Sequence, residues 1–286
     1  MNCQVITSVS KYTKANLEMF VNSLKFSGFS GKKIAVIFTC DTKTLDYLDS
    51  EGFFLDFYGC KPVKWGVVYE GESVNLLKEN VFSDRFYKYW KLLSASEPSS
   101  YSVITDCRDV IFQKNPELWL NQNLSCSHHS IVASCENMLY VDEEWNKENM
   151  RLNFPEFSET MEDKFILNAG VIAGKNDSLV DLCNSIYLTA LAGRKQTCPK
   201  LTSTDQSAYN IIMQTSVWKE RTLFSDIQGD WAAQMGTLAA YPGKIKASPS
   251  LLRDALINAN GEEYTIVHQY DRIKSIKDVF ERKFLS

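Results

Sequence analysis

Residues 33–40 read KIAVIFTC, an almost unbroken apolar run bounded by Lys33 and Asp41. A strand of that composition needs cover on both faces, as in the centre of a parallel sheet with helices above and below. The flanking sequence supplies the cover. Residues 4–9 read as a strand and residues 14–27 as a helix whose Leu17, Phe20, Val21 and Leu24 fall at i, i+3, i+4, i+7, forming one buried stripe. A helical pattern follows at 42–50, then an aromatic segment, a strand at 63–69, and a helix at 83–95 with Ser83 placed to cap it. Residues 102–105 form the next buried strand. This β-α-β-α-β rhythm predicts an α/β fold with a mostly parallel, Rossmann-like sheet and ligands just beyond the strands' C-terminal ends.

Beyond residue 115 the pattern loosens. Residues 131–135 and 165–173 read as strands, 178–192 as a helix ended by Gly193, and 204–214 as a helix with Thr204 as its cap. Residues 264–269 form a last strand and 275–284 a terminal helix. Residues 136–163 are polar and charged, an excursion of the length that makes a lid or an acceptor wall. The 286 residues carry 44% hydrophobic side chains, enough for a large core. No Pro/Gly linker or repeat divides them, so one domain is expected, with a nucleotide-binding half (about 1–115) and an acceptor half (about 116–286).

Composition narrows the partners. A net charge of −4 gives no sign of the basic face of a nucleic-acid binder, and no apolar run reaches the ~18 residues of a membrane span. The first residues lack the basic and apolar regions of a signal peptide, which predicts a cytoplasmic chain, at most peripheral to a membrane. Eight scattered cysteines form no CxxC pair, so reduced structural thiols are expected rather than zinc ligands or disulfides. Oligomeric state leaves no mark.

The chemistry concentrates at residues 101–116, YSVITDCRDVIFQKNP. A buried strand runs into Asp106 and Asp109, two carboxylates that can meet a hard divalent cation from one side. The plainer alternative is a strand-ending turn in which Asp106 caps backbone amides and Arg108 pairs with Asp109. Three further segments stand out: LNAGVIAGK at 167–175, TDQSAYN at 204–210 and VHQYDR at 267–272. The four together, in this order, resemble the motifs of the GT-A class of glycosyltransferases, closest to retaining enzymes similar to glycogenin and bacterial galactosyltransferases. The resemblance covers most of residues 4–272.

That resemblance implies a metal-dependent transferase moving a sugar from a nucleotide sugar, such as a UDP- or GDP-sugar, to a glycan or other hydroxyl acceptor, with retention. It implies Asp106, Asp109 and His268 as ligands of Mn²⁺ or Mg²⁺, and Asn168, Asp205 and Gln206 around the anomeric carbon. Thr7, Ser8 and Tyr12 follow the first strand, where the class places the nucleobase. Arg85, with Lys88 and Lys91 on the same helix face, is placed for phosphate or donor sugar, or for a solvated basic face. Two departures occur. The acidic pair is spaced Asp-x-x-Asp rather than Asp-x-Asp. Gln269-Tyr-Asp-Arg272 stands where the class shows Gly and then Lys-Pro-Trp, so any phosphate contact there falls to Arg272. No isolated carboxylate suited to an inverting base is evident.

Other features reduce to simpler readings. His128 and His129 are expected as surface histidines, because neighbours on a strand point oppositely. GVIAGKN at 170–176 lacks the spacing and Ser/Thr of a P-loop. Trp145 and Trp231 are candidate sugar platforms, with core packing the commoner role of Trp. A nucleotidyltransferase normally shows a Gly-rich loop after its first strand, and residues 9–16 contain no glycine. A non-catalytic nucleotide-sugar or carbohydrate-binding module of the same fold is the second reading.

Overall fold

The computed structural model describes residues 3–57, 59–70, 81–98, 100–193, 204–245 and 249–285. Its centre is a seven-stranded sheet in the order Thr222–Ser225, Ile131–Leu139, Phe165–Lys175, Tyr101–Thr105, Cys3–Val9, Lys32–Ile37, Phe53–Asp56. All neighbours pair in parallel except at Phe165–Lys175, which runs antiparallel to both of its partners.

The two-sided apolar run behaves as its composition demands. Ala35 and Ile37 join the cluster of Leu17, Phe20 and Leu24 from the helix Lys14–Phe26. Ile34 and Val36 face the other way, against Phe86, Tyr89 and Leu93 of the helix Val81–Ser94. All four strand residues are fully buried, each worth roughly 1.5–3 kcal/mol for the larger aliphatic side chains. Local signals set the helix starts. Asn16 Oδ1 accepts from both the amide and hydroxyl of Thr13, and Asp41 accepts from the Thr44 amide at 2.8 Å.

Several expectations need correction. The expected strand 63–69 is a hairpin, Cys60–Val63 with Gly66–Tyr69, which joins Cys40–Asp41 in a separate antiparallel sheet. The aromatic segment before it is the edge strand Phe53–Asp56. Ser83 is no cap: it lies buried inside the helix Val81–Ser94. Thr204 likewise belongs to the helix Thr204–Met213, and its hydroxyl donates to Asn153 Oδ1 at 3.3 Å. Apart from these corrections, residues 136–163 comprise the end of a strand, the helix Glu144–Asn153 and short turns.

A small second sheet matters most for function. Ala232–Gln234, Ile266–His268 and Val110–Phe112 lie side by side, with His268 opposite both Val110 and Gln234. This pairing carries a C-terminal histidine to the acidic loop more than 150 residues earlier in sequence. Seven cysteines are free thiols, and Cys198 lies outside the described residues. Among the described residues, no helix is long and apolar enough to cross a membrane.

Candidate functional site

A cleft of about 530 Å³ opens beyond the end of the strand Tyr101–Thr105. Asp106, Asn168, Asp205, Gln206, His268 and Arg272 all line it, so every one of the four sequence motifs contributes to one cavity. Asp106, Asp109 and His268 each offer a ligand atom, and the three atoms lie within 4.8 Å of one another. His268 Nε2 stands 3.6 Å from Asp106 Oδ2 and 3.7 Å from Asp109 Oδ1. Those separations exceed hydrogen-bond length, yet they suit two ligands each about 2.1 Å from a shared ion. Two carboxylates with one imidazole form a donor set for Mn²⁺ or Mg²⁺, the nitrogen favouring Mn²⁺.

Neighbouring groups prepare this set. His268 Nδ1 lies 2.8 Å from Gln234 Oε1; an amide oxygen only accepts, so Nδ1 carries a proton and Nε2 is the nitrogen that faces the carboxylates and could serve as the ligand atom. Burial opposes protonation of the imidazole, but Asp106 and Asp109 outweigh it and raise its pKa. Burial also works against ionised Asp106, but Arg85 and His268 hold its carboxyl well below the usual carboxylate range. Arg108 does pair with Asp109, at 2.6 Å, and it reaches Asp271 at 2.9 Å, tying the acidic loop to the segment after His268. Gln269 has a left-handed φ of 56°, at the position where the resembling class shows glycine.

Arg85 is neither solvated nor free. Its guanidinium bridges Asp106 at 2.5 Å and Asp205 at 2.8 Å, joining the Asp106–Asp109–His268 cluster to the floor of the cleft. Burial nevertheless pushes the Asp205 carboxyl up, against the pull of Arg85. Lys88 is fully buried; its ammonium donates to the Ile37 carbonyl at 2.9 Å and sits on the rings of Phe38 and Tyr69. Lys91 alone of the three is exposed. The basic-face reading is therefore corrected, because carboxylate, carbonyl and aromatic partners distant in sequence draw two of the three cations inward.

Of the residues after the first strand, Tyr12 lines a second cavity of about 510 Å³ with Lys11, Thr39, Asp41 and Trp65. Its phenol is pushed up to about 12, chiefly by burial and then by Cys107 and the carboxylates of Asp106 and Asp109. Thr7 and Ser8 lie inside the strand Cys3–Val9 rather than after it, because both continue its pairing with Lys32–Ile37; Thr7 is 1% exposed, Ser8 is half-buried, and both lie outside the two cavities. Arg272 is half-exposed at the cleft rim, its Nε 3.7 Å from Asp271. His128 and His129 do not point oppositely as expected: they lie outside any strand, with ring centroids 3.9 Å apart and planes tilted by 42°, and neither belongs to the Asp106–Asp109–His268 cluster. The two tryptophans divide: Trp231 is buried against Trp119, whereas Trp145, 48% exposed, lines the cleft.

Glu136 went unsingled in the sequence, although it supplies the buried carboxylate missing there. It continues the strand Ile131–Leu139 into the cleft. Its Oε1 accepts from Asn168 Nδ2 at 2.8 Å and Gln206 Nε2 at 3.2 Å, and its Oε2 from the Thr237 hydroxyl at 2.6 Å. Nothing in the local sequence marks it: residues 131–135, IVASC, show no apolar/polar alternation that Glu136 could extend.

Gly170 leaves no room for a side chain. A Cβ there would lie 2.6 Å from His268 Cε1, 2.7 Å from Asp106 Oδ2 and 2.9 Å from Asn168 Oδ1. Gly170→Ala is therefore expected to displace two cation ligands together and to lower Mn²⁺ affinity by about 10–100-fold, the range seen for disturbed ligand support. Calorimetric Mn²⁺ titration measures this; unchanged affinity would mean that the cluster binds no ion. A scan against protein-family models finds no match, and a search of curated proteins finds none.

Proposed function

We propose that the protein is a metal-dependent glycosyltransferase of the GT-A type, moving a sugar from a nucleotide sugar to a glycan or other hydroxyl acceptor. The observation that carries this reading is the convergence of Asp106, Asp109 and His268 at one end of a cleft floored by Asn168, Asp205 and Gln206. A nucleotide diphosphate leaves with growing negative charge, and a divalent cation held by those three residues supplies the counter-charge. Arg272 stands at the rim where a phosphate oxygen can be met. Tyr12 and Trp65 offer aromatic surface for a base near the first strand's end. On another part of the cleft wall, Trp145 and the 44% exposed Phe82 present aromatic faces on which an acceptor pyranose can lie.

The test is direct. Wild-type protein with Mn²⁺ and a panel of UDP- and GDP-sugars is expected to release nucleotide, and a chelator is expected to stop the release. Mn²⁺-dependent nucleotide binding with no release from any donor favours the non-catalytic module; absence of both overturns the reading. Retention is the outcome the resemblance implies, and NMR of the first product anomer reads it out.

A further inference from the structure

Four carboxylates line the cleft with Asn168 and Gln206, and three are accounted for. Asp106 serves the cation cluster. Asp205 is paired with Arg85 at 2.8 Å. Glu143 caps the helix Glu144–Asn153, accepting from the amides of Trp145 and Asn146 and from the Tyr241 hydroxyl. Glu136 remains. It is 7% exposed, and all three of its hydrogen-bond donors are neutral. Among the described residues no cation lies within ion-pair distance of it. Burial accordingly pushes its pKa up, against its hydrogen bonds and the neighbouring His268.

A buried carboxylate without a cation is costly, and a neutral Gln of the same shape would serve packing as well. Such groups concentrate where charge is used. The position fits a use. Asn168 lies between Glu136 and the cation cluster: its amide nitrogen donates to Glu136, and its carbonyl oxygen borders the same spot at Gly170 as Asp106 Oδ2 and His268 Cε1. Glu136 thus sits one side chain beyond the cation site, where the sugar of a cation-bound diphosphate extends.

We propose that the Glu136 carboxylate faces the reacting sugar and offsets the positive charge that develops on its anomeric carbon and ring oxygen. This rests on the glycosyl-transfer reading. No bond to Glu136 forms. The C1–O bond breaks with its electron pair leaving on the diphosphate, the acceptor oxygen supplies the replacing pair, and its proton passes to solvent. A negative group fixed beside an oxocarbenium-like centre acts in the transition state more than in the ground state.

Glu136→Gln separates charge from shape. The amide oxygen can keep the bonds from Asn168 and Gln206 while its nitrogen donates to Thr237 Oγ1. Melting temperature and Mn²⁺–nucleotide affinity are expected to stay near wild type, as is the donor KM. The kcat for donor hydrolysis is expected to fall about 100-fold or more, as when one preorganised electrostatic group is lost. A second arm needs no turnover. Isofagomine carries a protonated nitrogen at the anomeric position, and with Mn²⁺ and UDP (in parallel, GDP) it is titrated by calorimetry into both proteins. Wild type is expected to bind it about tenfold tighter or better. Retained kcat in Glu136→Gln overturns the proposal, as does isofagomine binding that is equal in the two proteins or absent from both. A wild type that releases no nucleotide defeats the transferase reading instead, and the isofagomine arm still decides Glu136.

Discussion

Asp109→Ala is expected to abolish cation-dependent nucleotide binding while leaving the chain folded. Asp109 is 6% exposed, with Oδ1 turned to His268 Nε2 and Oδ2 to Arg108. Substitution removes one of three protein ligands and one of two negative charges from the cluster, so Mn²⁺ affinity is expected to fall by more than about 100-fold, beyond the effect of merely disturbing a ligand's support. Folding is spared for a structural reason. Arg108 is part-exposed and keeps Asp271 at 2.9 Å, so no cation is left buried and alone. Asp109 is the buried member of that network, but the Arg108 it leaves is part-exposed and still paired, so the expected loss is about 1–3 kcal/mol, and removal of a carboxylate from beside Asp106 relieves repulsion. Melting temperature, Mn²⁺ titration and nucleotide binding on the one variant test all three statements. Wild-type Mn²⁺-dependent nucleotide affinity in Asp109→Ala would show that the cluster is not the cation site.

What was legible in the chain follows from how each signal arises. Ile34 and Val36 face one layer and Ala35 and Ile37 the other, so a two-sided apolar run was enough to read a central strand. The acidic loop and the late histidine were visible as residue types, and their distance in sequence was closed by strands of only three residues, Val110–Phe112 and Ile266–His268, too short for any periodic signal. The direction of Phe165–Lys175 depends on its two neighbours, not on its own composition. Arg85 and Lys88 were harder. A cation looks solvent-facing until its partner is known, and the partners of Arg85 lie 21 and 120 residues away. Glu136 was hidden for the same reason: its donors Asn168, Gln206 and Thr237 come from three separate segments, and nothing local marks a glutamate as buried.

Asp205→Asn is the sharpest test of the cleft floor. In the first turn of a helix a carboxylate is worth roughly 0.3–1 kcal/mol through the aligned backbone amides alone. The structure adds a second role, since Asp205 is 2% exposed and its Oδ2 accepts from Arg85 at 2.8 Å. Asn keeps the size and a carbonyl acceptor for that bond, and Arg85 keeps Asp106, so the expected loss is about 1–3 kcal/mol rather than that of an abandoned buried charge. The electrostatic consequence reaches further. Asp205 and Asp106 feel each other's charge across Arg85. With Asp205 neutral, the whole guanidinium charge bears on Asp106, the site becomes more positive, and Mn²⁺ affinity falls. Were that the full role of Asp205, saturating Mn²⁺ would restore turnover. If Asp205 instead acts on the donor sugar, kcat for donor hydrolysis stays about 100- to 1,000-fold down at saturating Mn²⁺, with nucleotide affinity recovered. That second pattern is the expected one, because Asp205 lines the cleft directly beside Gln206 and Asn168. Wild-type kcat at saturating Mn²⁺ would leave Asp205 as the partner of Arg85 and a helix start, with no part in the reaction.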